Sequence, residues 1–146
     1  MQKFVLISFV FVLLFLNIPK QPLLSFDGEY TFYTKSLPKC DEQVEKNGSL
    51  YMVTCDSKNA RQTKAGLKNI IGESVRFVGD ELVFEQTAKS LGKRVFCYQI
   101  EDIIVIEGFC QSIDRYVTSQ NKKINFQIAF DGTYITVGTP TIFGSF

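Results

Sequence analysis

The chain has 146 residues, 16 Lys and Arg against 15 Asp and Glu, 45% apolar residues, four Cys, and neither His nor Trp. That length fits one domain, and the near-balanced charge excludes nucleic-acid binding driven by bulk basic charge. The lack of His excludes Ser-His-Asp, Cys-His and His-based zinc sites, and neither a metal site nor a cofactor is expected.

Met1-Gln2-Lys3 is a short positive start, and from Phe4 to Leu16 every residue except Ser8 is apolar. An apolar run of about 13 residues matches the core of a secretory signal peptide and is short for a membrane span, which needs roughly 20. Pro19 and Pro22 follow it. The expectation is a signal peptide over residues 1–25, cut after Ser25, and one antiparallel β domain over 26–146. An uncleaved shallow anchor is the alternative. Removing Lys3 and Lys20 leaves the mature chain one charge negative. The protein is then secreted or exported, to the extracellular space, the periplasm or the secretory lumen, with no stable membrane span after processing.

Gly28–Lys35 reads as the first strand, rich in Tyr, Thr and Phe. Asn47-Gly48 is a strong hairpin signal of type I′. It sets Lys46 against Ser49, Val44 against Tyr51 and Cys40 against Cys55, so a Cys40–Cys55 bridge clasps the hairpin and Cys97–Cys110 follows by subtraction. Asn47-Gly48-Ser49 also satisfies the N-glycosylation pattern at Asn47.

Ser57–Ile71 is the one helical candidate, capped by Asp56 or Ser57 and ended by Gly72. Gly79-Asp80 suits a type II′ turn between strands Ser74–Val78 and Glu81–Gln86, with Val75 opposite Phe84 and Phe77 opposite Leu82. Lys93–Ile100 and Ile103–Phe109 are two further strands around Glu101-Asp102, a poor tight-turn pair that suggests a bulge or longer loop. Lys123–Phe130 alternates apolar and polar, and Asp131-Gly132 turns it into Thr133–Val137, with Ile128 opposite Ile135 and Phe126 opposite Val137. The tail from Gly138, with Pro140, is expected to edge or cap the sheet.

These hairpins predict an all-β fold with one short helix: an antiparallel up-and-down meander, disulfide-stapled, closed into a small barrel in preference to a sandwich. Two surfaces stand out. Tyr30, Phe32, Phe77, Phe84, Phe96, Tyr98, Phe126 and Phe130 fall in predicted strands and are candidates for the lining of an apolar cavity. Lys58, Arg61, Lys64 and Lys68 form a basic stretch with no acid from Ser57 to Gly72. Arg61, Lys64 and Lys68 are placed at the cavity entrance, facing an anionic headgroup.

No catalytic motif is recognisable, and the chain is expected not to be an enzyme. Three functions follow in order. The first is an exported barrel that binds a small apolar or anionic amphipathic molecule. The second is a secreted module with a solid core that engages an extracellular protein. The third is a hydrolase using carboxylates among Glu29, Asp41, Glu42, Glu101, Asp102 and Glu107. No nucleic-acid partner is expected.

Overall fold

A computed structural model describes residues 22–144. The predicted signal peptide lies almost wholly outside the described residues. Among those described, no helix is long and apolar enough to cross a membrane.

The described residues open with a 3-10 turn, Pro22–Ser25, followed by β1 (Glu29–Thr34), β2 (Gln43–Asn47), β3 (Leu50–Asp56), α1 (Ser57–Gly66) and β4 (Ile70–Val78). Then come α2 (Glu81–Leu91), β5 (Lys93–Ile100), β6 (Ile103–Phe109), β7 (Val117–Ser119), β8 (Lys122–Ile124), β9 (Phe126–Phe130) and β10 (Tyr134–Thr139). Eight strands form one antiparallel sheet in the order β2-β3-β1-β4-β10-β9-β6-β5, and β7 and β8 pair separately. The expectation of a mostly β, antiparallel chain holds.

The barrel does not form. The sheet stays open, with β2 and β5 at its edges, and its order is not a sequential meander. Two helices cover one face instead. α1 contacts β1 and β3 while α2 contacts β5, β6 and β9. Beneath them a single core joins Tyr30, Phe32, Val53, Val75, Phe84, Ile106, Phe126, Ile128, Ile135 and Val137. Helices that bury this apolar face remove the reason to curl the sheet into a barrel.

The segment expected as strand Glu81–Gln86 is helical. The Asp80 carboxylate accepts the Val83 backbone N–H at 2.9 Å, an N-cap. Phe84, Thr87, Ala88 and Leu91 are buried at helical spacing. Leu82, expected opposite Phe77, is exposed. Val75 and Phe77 pair instead with Val137 and Ile135 on β10. Over this short stretch the twofold alternation was a weaker signal than the cap and the helical stripe.

α1 is shorter than expected. Asp56 caps it, accepting from Asn59 N at 3.0 Å, but it ends at Gly66, and Ile70 to Gly72 belong to β4. The turn of the first hairpin is Gly48-Ser49, with Asn47 opposite Leu50 and Lys46 opposite Tyr51, and Gly48 at φ 61. Gly at the first central position is the type II′ solution, and it slips the register away from Cys40 opposite Cys55.

All four cysteines are free thiols, so neither expected bridge is present. Cys97 opposes Ile106. Cys110 is four residues further along, roughly 13 Å at the strand rise, beyond the ~7 Å reach of a disulfide.

β5 and β6 have the expected bounds, but Glu101-Asp102 makes a tight turn closed by Ile100 opposite Ile103, with Glu101 at φ 52. The predicted strand Lys123–Phe130 is split at Asn125 into β8 and β9. The next loop is longer by two residues than expected. Phe130 opposes Ile135 and Ile128 opposes Val137, because the Asp131 carboxylate gathers the backbone N–H groups of Thr133 and Tyr134. A shift of two keeps the same faces inward.

β10 lies at the centre of the sheet, and the tail behind it folds over the face opposite the helices. The Ile142 N–H donates to Gln127 Oε1 at 3.1 Å, and Phe143 packs on Tyr33 with ring centroids 5.3 Å apart. The tail lies so close to the sheet that a side chain at Gly72 would collide with Phe143.

Candidate functional site

The expected aromatic lining is dispersed. Tyr30, Phe32, Phe84, Phe126 and Phe130 are buried in the core under the helices, with Phe77 packed against them. Phe84 and Phe130 stack at 5.6 Å, and Phe26 and Phe77 at 5.2 Å. These rings fill the core. Phe96 and Tyr98 occupy the other face, where Tyr98 donates to Glu107 Oε1 at 2.9 Å and Gln127 Nε2 donates to the same oxygen at 3.2 Å. Burial, followed by the bond to Glu107, pushes the Tyr98 phenol above its ordinary range. Because Gln127 also holds the tail, this network serves to anchor Ile142.

A cleft of about 370 Å³ opens elsewhere, between the end of α1, the start of β4, the loop after β6 and the end of β10. Ile70, Ile71, Ile113 and Pro140 supply apolar walls, and Lys64, Glu73, Asp114 and Arg115 supply charge. Its geometry follows from two devices. The first is Asn125, fully buried, which accepts the Cys110 N–H at 2.7 Å and donates to the carbonyls of Cys110 and Ile113 at 2.7 and 2.9 Å. A side-chain amide that replaces turn partners in this way fixes the loop that carries Ser112 to Arg115. In the second, the Arg115 guanidinium donates to the Ile70 carbonyl and ties that loop to β4.

Glu73 occupies a core-facing position of β4 and is buried, a placement carboxylates avoid unless paired. Lys64 pairs with it at 2.7 Å from Glu73 Oε2. That oxygen is closed to solvent, and the Lys64 ammonium is its charge partner.

Lys64 is therefore the one expected entrance residue that reaches the cleft. Arg61 is exposed on α1, Lys68 lies beyond the helix end, and Lys58 faces a separate surface hollow with Phe77 and Arg76. The expected carboxylates do not converge: Glu107 is in the tail network, Glu42 accepts from Thr63 at 3.1 Å, and Glu101 and Asp102 are at a hairpin tip. Asn47 is exposed at the end of β2.

Sequence reading missed Glu73, Asp114 and Arg115. A charge two residues before Val75, on the same face of the strand, was a readable sign for Glu73. Nothing local marked the other two. No protein family matches the chain, and no curated protein or solved structure is detectably similar to it.

Proposed function

We propose that this chain binds a small amphipathic molecule in the Lys64–Glu73–Arg115 cleft and does not transform it. The observation that carries the reading is the cleft itself. Its volume of about 370 Å³ lies at the lower end of small-molecule sites, which run from roughly 300 to 1,000 Å³. Apolar walls stand beside two cations and two carboxylates. Those four charges cancel, so the best-matched head is zwitterionic. Glu73 is already matched by the Lys64 ammonium at 2.7 Å, and the guanidinium of Arg115 keeps further N–H groups beyond the one spent on Ile70.

Three probes with similar tails test the head group: 2-aminodecanoate, decanoate and decylamine, titrated calorimetrically into the purified protein. The zwitterion is expected to bind most tightly. Arg115→Gln should weaken it about tenfold, the scale of one lost charge-assisted bond, and Ser112→Trp should abolish binding by filling the cleft. Preference for decanoate would favour the anionic head and the wider basic surface of α1.

The filled core supports a second reading, an exported interaction module. Failure of all three probes to saturate would overturn the ligand reading in its favour.

A further inference from the structure

We propose that two copies of this chain pair edge to edge through β5, antiparallel and centred on Cys97. The two edges of the sheet differ. β2 is five residues long and carries Glu45 and Lys46, the charged, short form that discourages pairing. β5 is eight residues long; its basic start, Lys93-Arg94, is set off by a bulge, and the regular stretch from Phe96 to Ile100 carries no charge and exposes Tyr98 and Ile100. A long edge with apolar side chains and unpaired backbone groups is a template for another strand.

The backbone is suitably arranged. Ile100 opposite Ile103 closes a two-residue turn, and such a closing pair is hydrogen-bonded. By alternation Tyr98 and Ile100 direct their N–H groups to β6, whereas Cys97 and Gln99 direct theirs outward.

The side chains select a second copy as the occupant. The strand begins with Lys93-Arg94 and runs into Glu101-Asp102, so it is basic at one end and acidic at the other. Turned antiparallel about Cys97, it sets Phe96 against Tyr98 of the second copy and, across the bulge between Arg94 and Phe96, brings the basic end of each strand alongside the acidic end of the other. Opposite charges and aromatic pairs are the favourable cross-strand partners. Arg94 is already held by Glu85 at 2.6 Å, whereas Lys93 makes no ion pair among the described residues. Cys97, exposed at the axis, meets Cys97 of the second copy.

That last contact provides the test. The full chain is purified under reduction, desalted, and exposed to oxidised glutathione. Two Cys97 thiols lose two protons and two electrons to form one S–S bond, and the glutathione disulfide is reduced to two glutathione thiols. A covalent dimer whose only cross-linked peptide joins Cys97 to Cys97 is expected, together with a concentration-dependent mass in sedimentation under reducing conditions. Cys97→Ser should lose the cross-link and keep the reversible dimer. Gln99→Pro removes an outward N–H that β6 does not use, a position where an edge strand tolerates Pro. It should suppress both readouts. If that variant unfolds, Ile100→Lys serves instead: it places a cation twice beside the basic end of the facing strand and should weaken the dimer about tenfold. A monomer at all concentrations, cross-links through Cys40 or Cys110, or Cys97 captured only by glutathione would each overturn the proposal.

Discussion

Lys64 Nζ and Glu73 Oε2, 2.7 Å apart, join the last turn of α1 to the core-facing side of β4. The lysine side chain keeps 24% of its surface exposed and the glutamate only 11%. The pair is thus asymmetric. Water still reaches the ammonium, but removing it leaves a carboxylate with little water around it.

Lys64→Met is expected to destabilise the protein by about 2 kcal/mol, below the loss seen when one partner of a fully buried pair is removed, because Lys64 is partly solvated. Adding Glu73→Gln should restore most of that loss. A chemical-denaturation cycle over the two single variants and the double measures it. Equal stability of Lys64→Met and wild type would show that the pair contributes nothing.

The Tyr30 hydroxyl shares its proton between the carbonyls of Leu23 and Phe26, each at 2.5 Å, and so ties the N-terminal turn to the sheet. Burial pushes its phenol up to about 12. The folded state prefers the neutral form, so this stabilisation is complete below pH 10 and fades as pH rises from 10 to 12. Tyr30→Phe should cost about 1–2 kcal/mol at pH 7 by stranding the two carbonyls. The gap between variant and wild type should narrow above pH 10. Urea unfolding at pH 7 and pH 11 reads both effects, and a gap that widens with pH would contradict the assignment.

Asp80→Ala removes the N-cap of α2 and should lower stability by about 1 kcal/mol. Asp80→Asn, which keeps the accepting oxygen, should lose much less. The helical circular-dichroism signal near 222 nm is expected to fray only in the alanine variant. No difference between the two would mean that the cap is not what starts the helix.

Thiol accessibility should separate the cysteines. Cys97 is exposed, Cys40 and Cys110 are half-buried, and Cys55 is buried, with desolvation raising its thiol above the ordinary range. A chromogenic disulfide should react first at Cys97 and last at Cys55 in the native protein. Under denaturing conditions without reductant, four thiols should titrate. A count of two would show that one disulfide joins a pair of the four.

Local patterning carried a good part of the fold. The bounds of β5 and β6 were legible because strand-forming residues run up to the Glu101-Asp102 break, and the inward faces of β9 and β10 because Ile and Phe alternate with smaller or polar residues. The register of that last hairpin was not. It depends on how the Asp131 side chain satisfies backbone donors, which the turn dipeptide alone does not reveal. α2 was missed because Gly79-Asp80 suits both a hairpin turn and a helix cap, and only burial of Phe84 and Leu91 decides between them.

Of the charged residues of the cleft, only Lys64 was singled out in the sequence. Glu73, Asp114 and Arg115 come from segments joined by the long-range order of the strands, and periodicity does not encode that order. The same absence of long-range information favoured a barrel: a run of hairpins looks like a meander until one strand is inserted out of turn.

That strand is β10, hydrogen-bonded to β4 on one side and β9 on the other. The strands before α2 and the main-sheet strands after it form two groups that touch within the sheet only through β10. During synthesis each group therefore presents a raw inner edge, β4 in one and β9 in the other, until the residues near Thr139 leave the ribosome. The ladder that pairs Glu73 with Thr139 joins segments separated by about half of the described chain and is the slow kind of contact to form. Maturation of this protein is thus a race at its final strand. A chain stopped before Tyr134 would leave two sticky half-sheets, and a chaperone that shields strand edges would act in the interval before β10 arrives.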